Sequence, residues 1–572
     1  MSSSAFQAAP AGGRTVLALA FFVLAATVCA TYTPILDNGW VWDDGTNLIA
    51  ARANWDRGWS GIVWAFETPV AGHYQPLTWL SYGIDARLSA ATPRGVHATN
   101  LLLHLIATAF VAALGWTLSG GGPRAAIASD FRRRALASLL SAAIFALHPI
   151  RVETVAWATE RRDLLSSVFV LAALLLHLRT APADDSPSSR RGSIALLHAL
   201  AALARAQMTL PFVLLVLDLW PLQRLQEPGG RWRSLWRLAT EKALSFAIAG
   251  ASAGAALWAQ ASSGALTGLA EHGLVDRFVQ AGYGLSFYPS ALVGRTAWLP
   301  LHERPFPFDP AAPALLVPAL LALAALVACA MTARRWPAIA AAVASYLLLV
   351  LPVLGFAQSG IQLVAERYAY LSTVPFVLLA AVALTKLDTT SIPRIWRLLS
   401  AAGLLLWLCG LALASHRQAL VWRDDESVWR HVLAHSRSCL AENNLGQILA
   451  ARGETGPALL HLVRSLEVVP VYSRPWRALV ALLEAPPPLD APPPPWVALT
   501  LERAALAQPG SPIGLHASGL AWWRAGHRDR ALLRLNRLIA LEPRNEGARR
   551  ARAWISSRFP TASISPAAPA VP

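Results

Sequence analysis

Eleven apolar stretches, near residues 16–33, 97–119, 135–147, 164–178, 194–204, 208–221, 243–261, 313–333, 337–356, 368–385 and 398–415, alternate with shorter polar links. A bilayer crossing takes about 20 apolar residues, so each stretch reads as a spanning helix or part of one. Several are short for a crossing, and 194–221 reads either as one long helix or as two short ones. The fold class expected is all-α: a polytopic membrane bundle of about 11 spans over residues 1–415, followed by a second helical region. The first stretch has a second reading as a cleaved signal peptide, because Val28-Cys29-Ala30 is a tolerable small-residue site. Its removal would leave ten spans.

Composition agrees with a membrane core. Of the 572 residues 55% are hydrophobic and 14% charged, and the mean hydropathy is +0.43, outside soluble usage. The net charge of +16 sits in short clusters between apolar runs, which speaks for topology and against nucleic acid. With the N-terminus cytoplasmic, alternate links carry "FRRR" (131–134), "SRRG" (189–192), "GGRWRSLWR" (229–237), "ARR" (333–335) and "IPRIWR" (392–397), as the positive-inside rule requires. The links 35–96, 148–163, 262–312 and 357–367 then lie outside, as does everything after 416. Lysine occurs only at Lys242 and Lys386; this arginine bias reads as a GC-rich bacterial genome, hence an inner-membrane protein with a periplasmic C-terminal region. Cys29, Cys329, Cys409 and Cys439 form neither a disulfide framework nor a zinc spacing.

The outer links hold the chemistry. "GWVWDDGTNLIA" (39–50) places Asp43 and Asp44 just beyond the first span; Asp-Asp-Gly-Thr also suits a plain turn or helix cap. After it, Trp55, Trp59, Ile62, Val63 and Phe66 recur on one helical face in 54–66, and 74–88 repeats the pattern, so both predict helices lying in the interface. The second link, 148–167, gathers His148, Arg151, Glu153, Glu160, Arg161, Arg162 and Asp163, and a third brings Glu366 and Arg367. Charges so near lipid must be paired or used. His97, Asn100 and His104 share one face of the second span; interhelical hydrogen bonding and metal ligation both fit, and two turns between the histidines favour the former. No compact carboxylate cluster for a divalent ion is visible, which favours a metal-independent site without excluding a divalent metal.

Beyond 416 the pattern repeats. Gly446, Leu449, Ala458, Leu462 and Pro470 recur as Gly519, Trp522, Ala531, Leu535 and Pro543, each shifted by 73, with the internal offsets of a 34-residue tetratricopeptide unit. Trp476, Leu479, Leu483, Leu501 and Pro509 fit a third unit stretched by "APPPLDAPPPP" (485–495). Residues 416–558 therefore read as a three-repeat α-solenoid, able to hold an acceptor or an assembly partner, and 559–572 as a disordered tail.

The ordered set "WVWDDGTNLI", "YQPLTWLSYGIDARL…TPRGVHATNLLLH", "HPIRVETVAWATERRDLLS", "TLPFVLLVLDLWPL" and "ERYAYLS" resembles the membrane glycosyltransferases of the GT-C superfamily. Within these it resembles in particular the tetratricopeptide-bearing O-mannosyltransferase-like proteins and their bacterial relatives. The resemblance implies transfer of a sugar, with mannose suggested, from a polyprenyl-phosphate carrier to a hydroxyl of an acceptor protein or glycan at the outer face, with no cofactor. It implies an outer-loop acid as general base, Asp43 or Asp44, and cations for the lipid phosphate: Arg161 and Arg367, with Arg162 and Arg205. Arg205 stands where relatives carry a lysine, which is not an isosteric exchange. His148, Glu153, Asp163, Glu366, His97 and Tyr74 are the expected supporting residues. The competing reading is a non-catalytic scaffold that anchors the repeats; a transporter would show repeated halves, and none are evident.

Overall fold

The structure is a computed structural model that describes residues 11–558 apart from 56, 91, 121–130, 181–187, 226–229, 265–266, 295–296, 358–359, 388–391, 485–492 and 509–510. The expected tail, Pro509 and most of the proline-rich insert lie outside the described residues. What is described is helical, save for the antiparallel ribbon His302–Glu303 with Gln362–Val364. The chain divides into two compact units, Met1–Asp424 and Asp425–Pro572. Residue 416, where the sequence changes character, falls inside the helix Arg394–Val421. Its final turns are held in the first unit by Ser415 Oγ on the Leu147 carbonyl (2.8 Å) and by Asn38 Nδ2 on that of Ala419 (3.2 Å).

All eleven apolar stretches fall on helices. Among the described residues five helices are long and apolar enough to cross a membrane: Gly13–Asp37, Pro93–Ser119, Ala243–Ser263, Pro313–Thr332 and Arg394–Val421. Two bent pairs would make seven, Phe131–Leu147 with Pro149–Ala156 (60°) and Glu366–Ser372 with Val374–Leu384 (54°). The run 194–221 is two helices, Ser188–Ala204 and Leu210–Leu219. Pro211 fits only the first turn of the second, where its missing N–H costs nothing. Two helices fall where links were read: Arg231–Thr240, in the arginine-bearing link 229–237, and Leu274–Val293, in the link 262–312, its apolar character diluted by Asp276, Arg277 and Gln280.

Small residues let the bundle close. Thr92 caps Pro93–Ser119 by accepting from the Gly95 N–H at 3.2 Å, and that helix approaches Phe131–Leu147 where Ser138 Oγ reaches the Ala112 carbonyl (2.8 Å). A Cβ on Gly115 would sit 2.9 Å from the Ala137 carbonyl oxygen, so only glycine allows this contact, as is usual between membrane helices.

The second unit is a run of antiparallel helix pairs around Leu462, Trp476, Leu501, Trp522 and Leu535. Its 73-residue period extends beyond the five positions read from the sequence. Ser438 and Ser511 cap corresponding helices by accepting from Ala441 N–H (3.0 Å) and Gly514 N–H (3.4 Å). Gly453 and Gly526 take φ of 82° and 83° at the helix ends, a left-handed geometry that favours glycine. Gly446 faces Leu462 and Gly519 faces Leu535, too closely for a side chain.

Candidate active site

The two bends create the site. The 60° turn at His148-Pro149 lays residues 149–160 across the end of the bundle, and the 54° turn does the same for 366–372. Arg151, fully buried, joins them by donating to the Tyr370 carbonyl (2.8 Å) and Thr373 Oγ1 (2.9 Å). Glu153 then receives the Arg367 backbone N–H (2.8 Å) and its Nη1 (2.6 Å).

Onto this shelf folds the link with the two aspartates. Trp42, immediately before them, has φ of 57°, a left-handed geometry costing a non-glycine residue about 1–3 kcal/mol. A ring stack holds it there: Trp42 on Trp157 at 4.7 Å, and Trp157 on Trp422 at 5.6 Å. The two carboxylates end in different surroundings. Asp44 is fully buried; Oδ1 accepts the Thr159 N–H (2.9 Å) and O–H (2.6 Å), and Oδ2 accepts the Val41 N–H (3.0 Å). Burial pushes its pKa up to about 7 against the Thr159 bond. Asp43 stays partly exposed. Burial raises its pKa too, opposed by the Arg162 guanidinium, while Glu160 and Arg367 also act on it and Asn47 donates a hydrogen bond.

Around Asp43 stands a tight charge cluster. Arg162 pairs with Glu160 at 2.6 Å, and Arg367 reaches the same carboxylate at 3.5 Å. Despite burial, Arg162 and Arg367 hold Glu160 well below the usual carboxylate range. Arg162 Nη1 is buried with no hydrogen-bond partner among the described residues. Arg205 pairs with Asp163 and is a third exposed. Arg367 also lies over the rings of Trp157 (5.4 Å) and Tyr368 (4.8 Å). Asp43, Glu153, Asp163, Arg162, Arg205 and Arg367 are thus brought together.

The other expected residues go elsewhere. Arg161 is buried among Asp85 (2.5 Å), Asn100 Oδ1 (2.9 Å) and the Val96 carbonyl (2.7 Å), with its guanidinium 4.5 Å from the Tyr82 ring. Its donors are directed to these groups, not to Asp43. His148 caps the bend, bonded to the Ile150 N–H and the Leu292 carbonyl, each at 3.2 Å. Glu366 receives the Leu299 N–H (2.8 Å) and lies 3.3 Å from His302. His97 meets the Gly39 carbonyl (3.4 Å), His104 meets the Tyr370 hydroxyl (2.8 Å), and Asn100 donates to Val155 and Trp157 carbonyls (3.4 Å each), so this face serves interhelical bonding. Tyr74 packs edge-on against Trp258 at 6.1 Å. The interfacial segment 54–66 is broken: Ala50–Trp55 and Trp59–Glu67 are separate helices, with Gly58 at φ 58° between them. Trp55 turns inward onto Tyr82 (5.4 Å), whereas Trp59, Ile62 and Phe66 stay exposed.

Two groups went unread in the sequence. His73 faces Arg162, Glu160, Arg205 and Arg367; burial, then Arg162, keeps its imidazole neutral, well below its ordinary pKa. Its only local signal is the Gly72 turn, where φ is 78° and Val70 and His73 exchange backbone bonds. Asp218, in "DLWPL", binds His177 (2.9 Å), Arg224 (3.1 Å) and Lys242. Among the described residues no group of three or more His, Cys, Asp or Glu could hold a metal ion.

The chain is similar to protein O-mannosyl-transferases. Tmtc2 of Drosophila melanogaster is 33% identical over 159 residues, 26% of this chain and 15% of that protein. Tmtc3 of the same fly is 25% identical over 455 residues, 69% of this chain and 48% of the relative. Human TMTC3 is 32% identical over 113 residues, covering 20% and 11%. The matches therefore span about half the length of these relatives or less. No family model and no solved structure matches the chain. Similarity to the O-mannosyl-transferases and the apolar helices together make this a multi-pass membrane protein.

Proposed function

We propose that the chain is a GT-C-type membrane glycosyltransferase that moves one sugar, mannose in the nearest reading, from a polyprenyl-phosphate carrier to a hydroxyl of an acceptor protein. Asp43 carries the proposal: a partly exposed carboxylate with raised pKa, beside Arg162 and Arg367 and above the fully engaged Asp44. In this reading Asp43 takes the proton of the acceptor hydroxyl as its oxygen attacks the anomeric carbon. The bond to the phosphate oxygen breaks, and polyprenyl phosphate leaves with the electron pair. Arg162 Nη1, with Arg367 and Arg205, meets the charge that develops on it. A single displacement of this kind inverts the anomeric centre.

A lipid-borne donor also suits an apolar cavity of about 880 Å³ in the bundle. Its lining includes Leu171, Val213, Leu349, Leu371 and Pro375, and Leu371 is four residues beyond Arg367. In the same reading the second unit is a tetratricopeptide solenoid, and it and the Asp43 shelf face the periplasm of a bacterial inner membrane.

The test incubates purified protein with defined polyprenyl-phosphate sugars and measures release of polyprenyl phosphate. Release that depends on Asp43 supports transfer. No release from any donor, with the protein folded and Asp43→Asn unchanged in membrane abundance, leaves the scaffold reading.

A further inference from the structure

The helix Arg231–Thr240, with the sequence RWRSLWRLAT, is left unused by the proposed reaction. Gly230 opens it with a φ of 92°. Ser234 and Leu238 are buried, and their four-residue spacing marks the face turned to the protein. Trp232 and Trp236 lie on the opposite face, 71% and 57% exposed, with their rings edge to face at 5.7 Å. Arg231, Arg233 and Arg237 are exposed on either side of them, and the helix contains no Asp or Glu. Its C-terminal end is held firmly. Arg224 donates to both oxygens of Glu241 (2.9 and 3.1 Å) and to Asp218 (3.1 Å). Lys242 pairs with the same Asp218 and donates to the Leu238 carbonyl (3.2 Å). Only Glu241 and Lys242 separate this helix from Ala243–Ser263, one of those long and apolar enough to cross a membrane.

We infer that this helix docks on the bilayer surface and binds anionic phospholipid headgroups, with Trp232 and Trp236 seated at headgroup depth and the arginines on lipid phosphates. The three steps from Thr240 to Ala243 reach at most about 11 Å, and a headgroup layer is about 5–8 Å thick. The last turn of the helix therefore lies at or beside the headgroups of the leaflet where Ala243–Ser263 begins. Tryptophan favours that layer, because its ring is apolar and its N–H needs a polar partner. Guanidinium groups bind phosphate through paired, charge-assisted hydrogen bonds. A zwitterionic headgroup carries its own cation, so three arginines with no acid among them favour a headgroup of net negative charge. The pairing of Glu241 and Asp218 with Arg224 and Lys242 fixes which face the helix offers. This inference needs the membrane but not sugar transfer, and stands or falls separately from it.

The test uses the full chain with its four native cysteines replaced by serine and the exposed Thr240 changed, Thr240→Cys, to carry a fluorophore. It is reconstituted in phosphatidylcholine vesicles that hold a small fraction of a quencher lipid, spin-labelled near the headgroup. Spin-labelled phosphatidylglycerol is expected to quench at least about threefold more than spin-labelled phosphatidylcholine at the same fraction, and the difference should shrink as salt is added. Arg231→Gln with Arg233→Gln, both exposed, should bring the two lipids close to equal. Trp232→Ala with Trp236→Ala should weaken quenching by both. The +16 chain has basic surface elsewhere, so a preference undiminished by the double arginine exchange would assign it to other cations and overturn the inference. Equal quenching by the two lipids with the arginines intact would overturn it too. Absence of quenching by either lipid would take the helix off the bilayer, leave its arginines to a soluble polyanion and overturn it as well.

Discussion

At the scale of single residues, adjacent aspartates divide two jobs. Asp44 accepts three hydrogen bonds inside the protein, whereas Asp43 is the carboxylate left partly exposed beside Arg162. Asp43→Asn is therefore expected to lower sugar transfer about 10²–10⁴-fold with an unchanged melting temperature. Asp44→Asn places an NH₂ where an oxygen now accepts, and should cost about 1–3 kcal/mol of stability, read by thermal melting in detergent. The two effects should also respond oppositely to pH. As the proposed base, Asp43 would work only when ionised, so activity should be lost as pH falls, with the acid limb above the ordinary 3.8. Asp44, raised from 3.8 to about 7, binds its proton more tightly in the folded state; its contribution to stability is thus present at low pH and lost as pH rises through that window. A melting-temperature series from pH 4 to 7 should show a downward slope that Asp44→Asn flattens. The sequence exposed the pair but could not separate its members, because the separation comes from Thr159, more than a hundred positions away. Arg161 was read ahead of Arg162 as a ligand of the phosphate, but Asp85 claims Arg161, and nothing in "ERRD" says so.

At the scale of elements, glycine and bends did what hydrophobic periodicity could not announce. In the second unit a Cβ on Gly446 would lie 2.7 Å from Leu462 Cγ, and one on Gly519 would lie 3.0 Å from Leu535 Cγ. Gly446→Ala is expected to cost about 1–3 kcal/mol through overpacking, and Gly519→Ala less, as measured by urea or thermal unfolding of the full chain. The repeat was legible because its first and last units carry a glycine and a leucine at the same spacing, Gly446 with Leu462 and Gly519 with Leu535. The Leu274–Val293 helix was not, since Asp276, Arg277 and Gln280 interrupt its apolar run, and two of them find partners far along the chain: Arg277 Nη1 on the Phe356 carbonyl (2.5 Å) and Gln280 Nε2 on the Leu363 carbonyl (3.1 Å). Likewise the break at Gly58 that turns Trp55 inward leaves no trace in a pattern read as one continuous helix.

For the molecule as a whole, the apolar stretches and arginine-bearing links predict an orientation that can be measured directly. In a background with the four native cysteines replaced by serine, Gly45→Cys and Gly192→Cys both occupy exposed positions where a Cβ meets nothing within 4 Å. Gly45→Cys is expected to react with a membrane-impermeant maleimide added to intact cells, and Gly192→Cys only after permeabilisation. The reverse pattern would put Asp43 on the cytoplasmic side, away from an outer-face donor, and end the proposed reaction. That the apolar stretches are helices was readable from the sequence, because backbone hydrogen bonding in lipid leaves few alternatives; the number that cross was not, since eleven stretches read as spans whereas five helices among the described residues, or seven with the bent pairs, are long and apolar enough. How the links fold over one another was not, since it is decided by contacts between segments far apart in the chain.

The bridge from Arg151 and Glu153 to residues 367–373 has a bearing on biosynthesis. Its halves are separated by more than two hundred residues and four or more later helices, so during translation the earlier half emerges long before the later one exists. Until then Arg151 and Glu153 lack these partners, and the corner beside Asp43 cannot assemble ahead of the helices that follow it. In the proposed reading, sugar transfer is thereby withheld from a half-made chain by the order of synthesis alone.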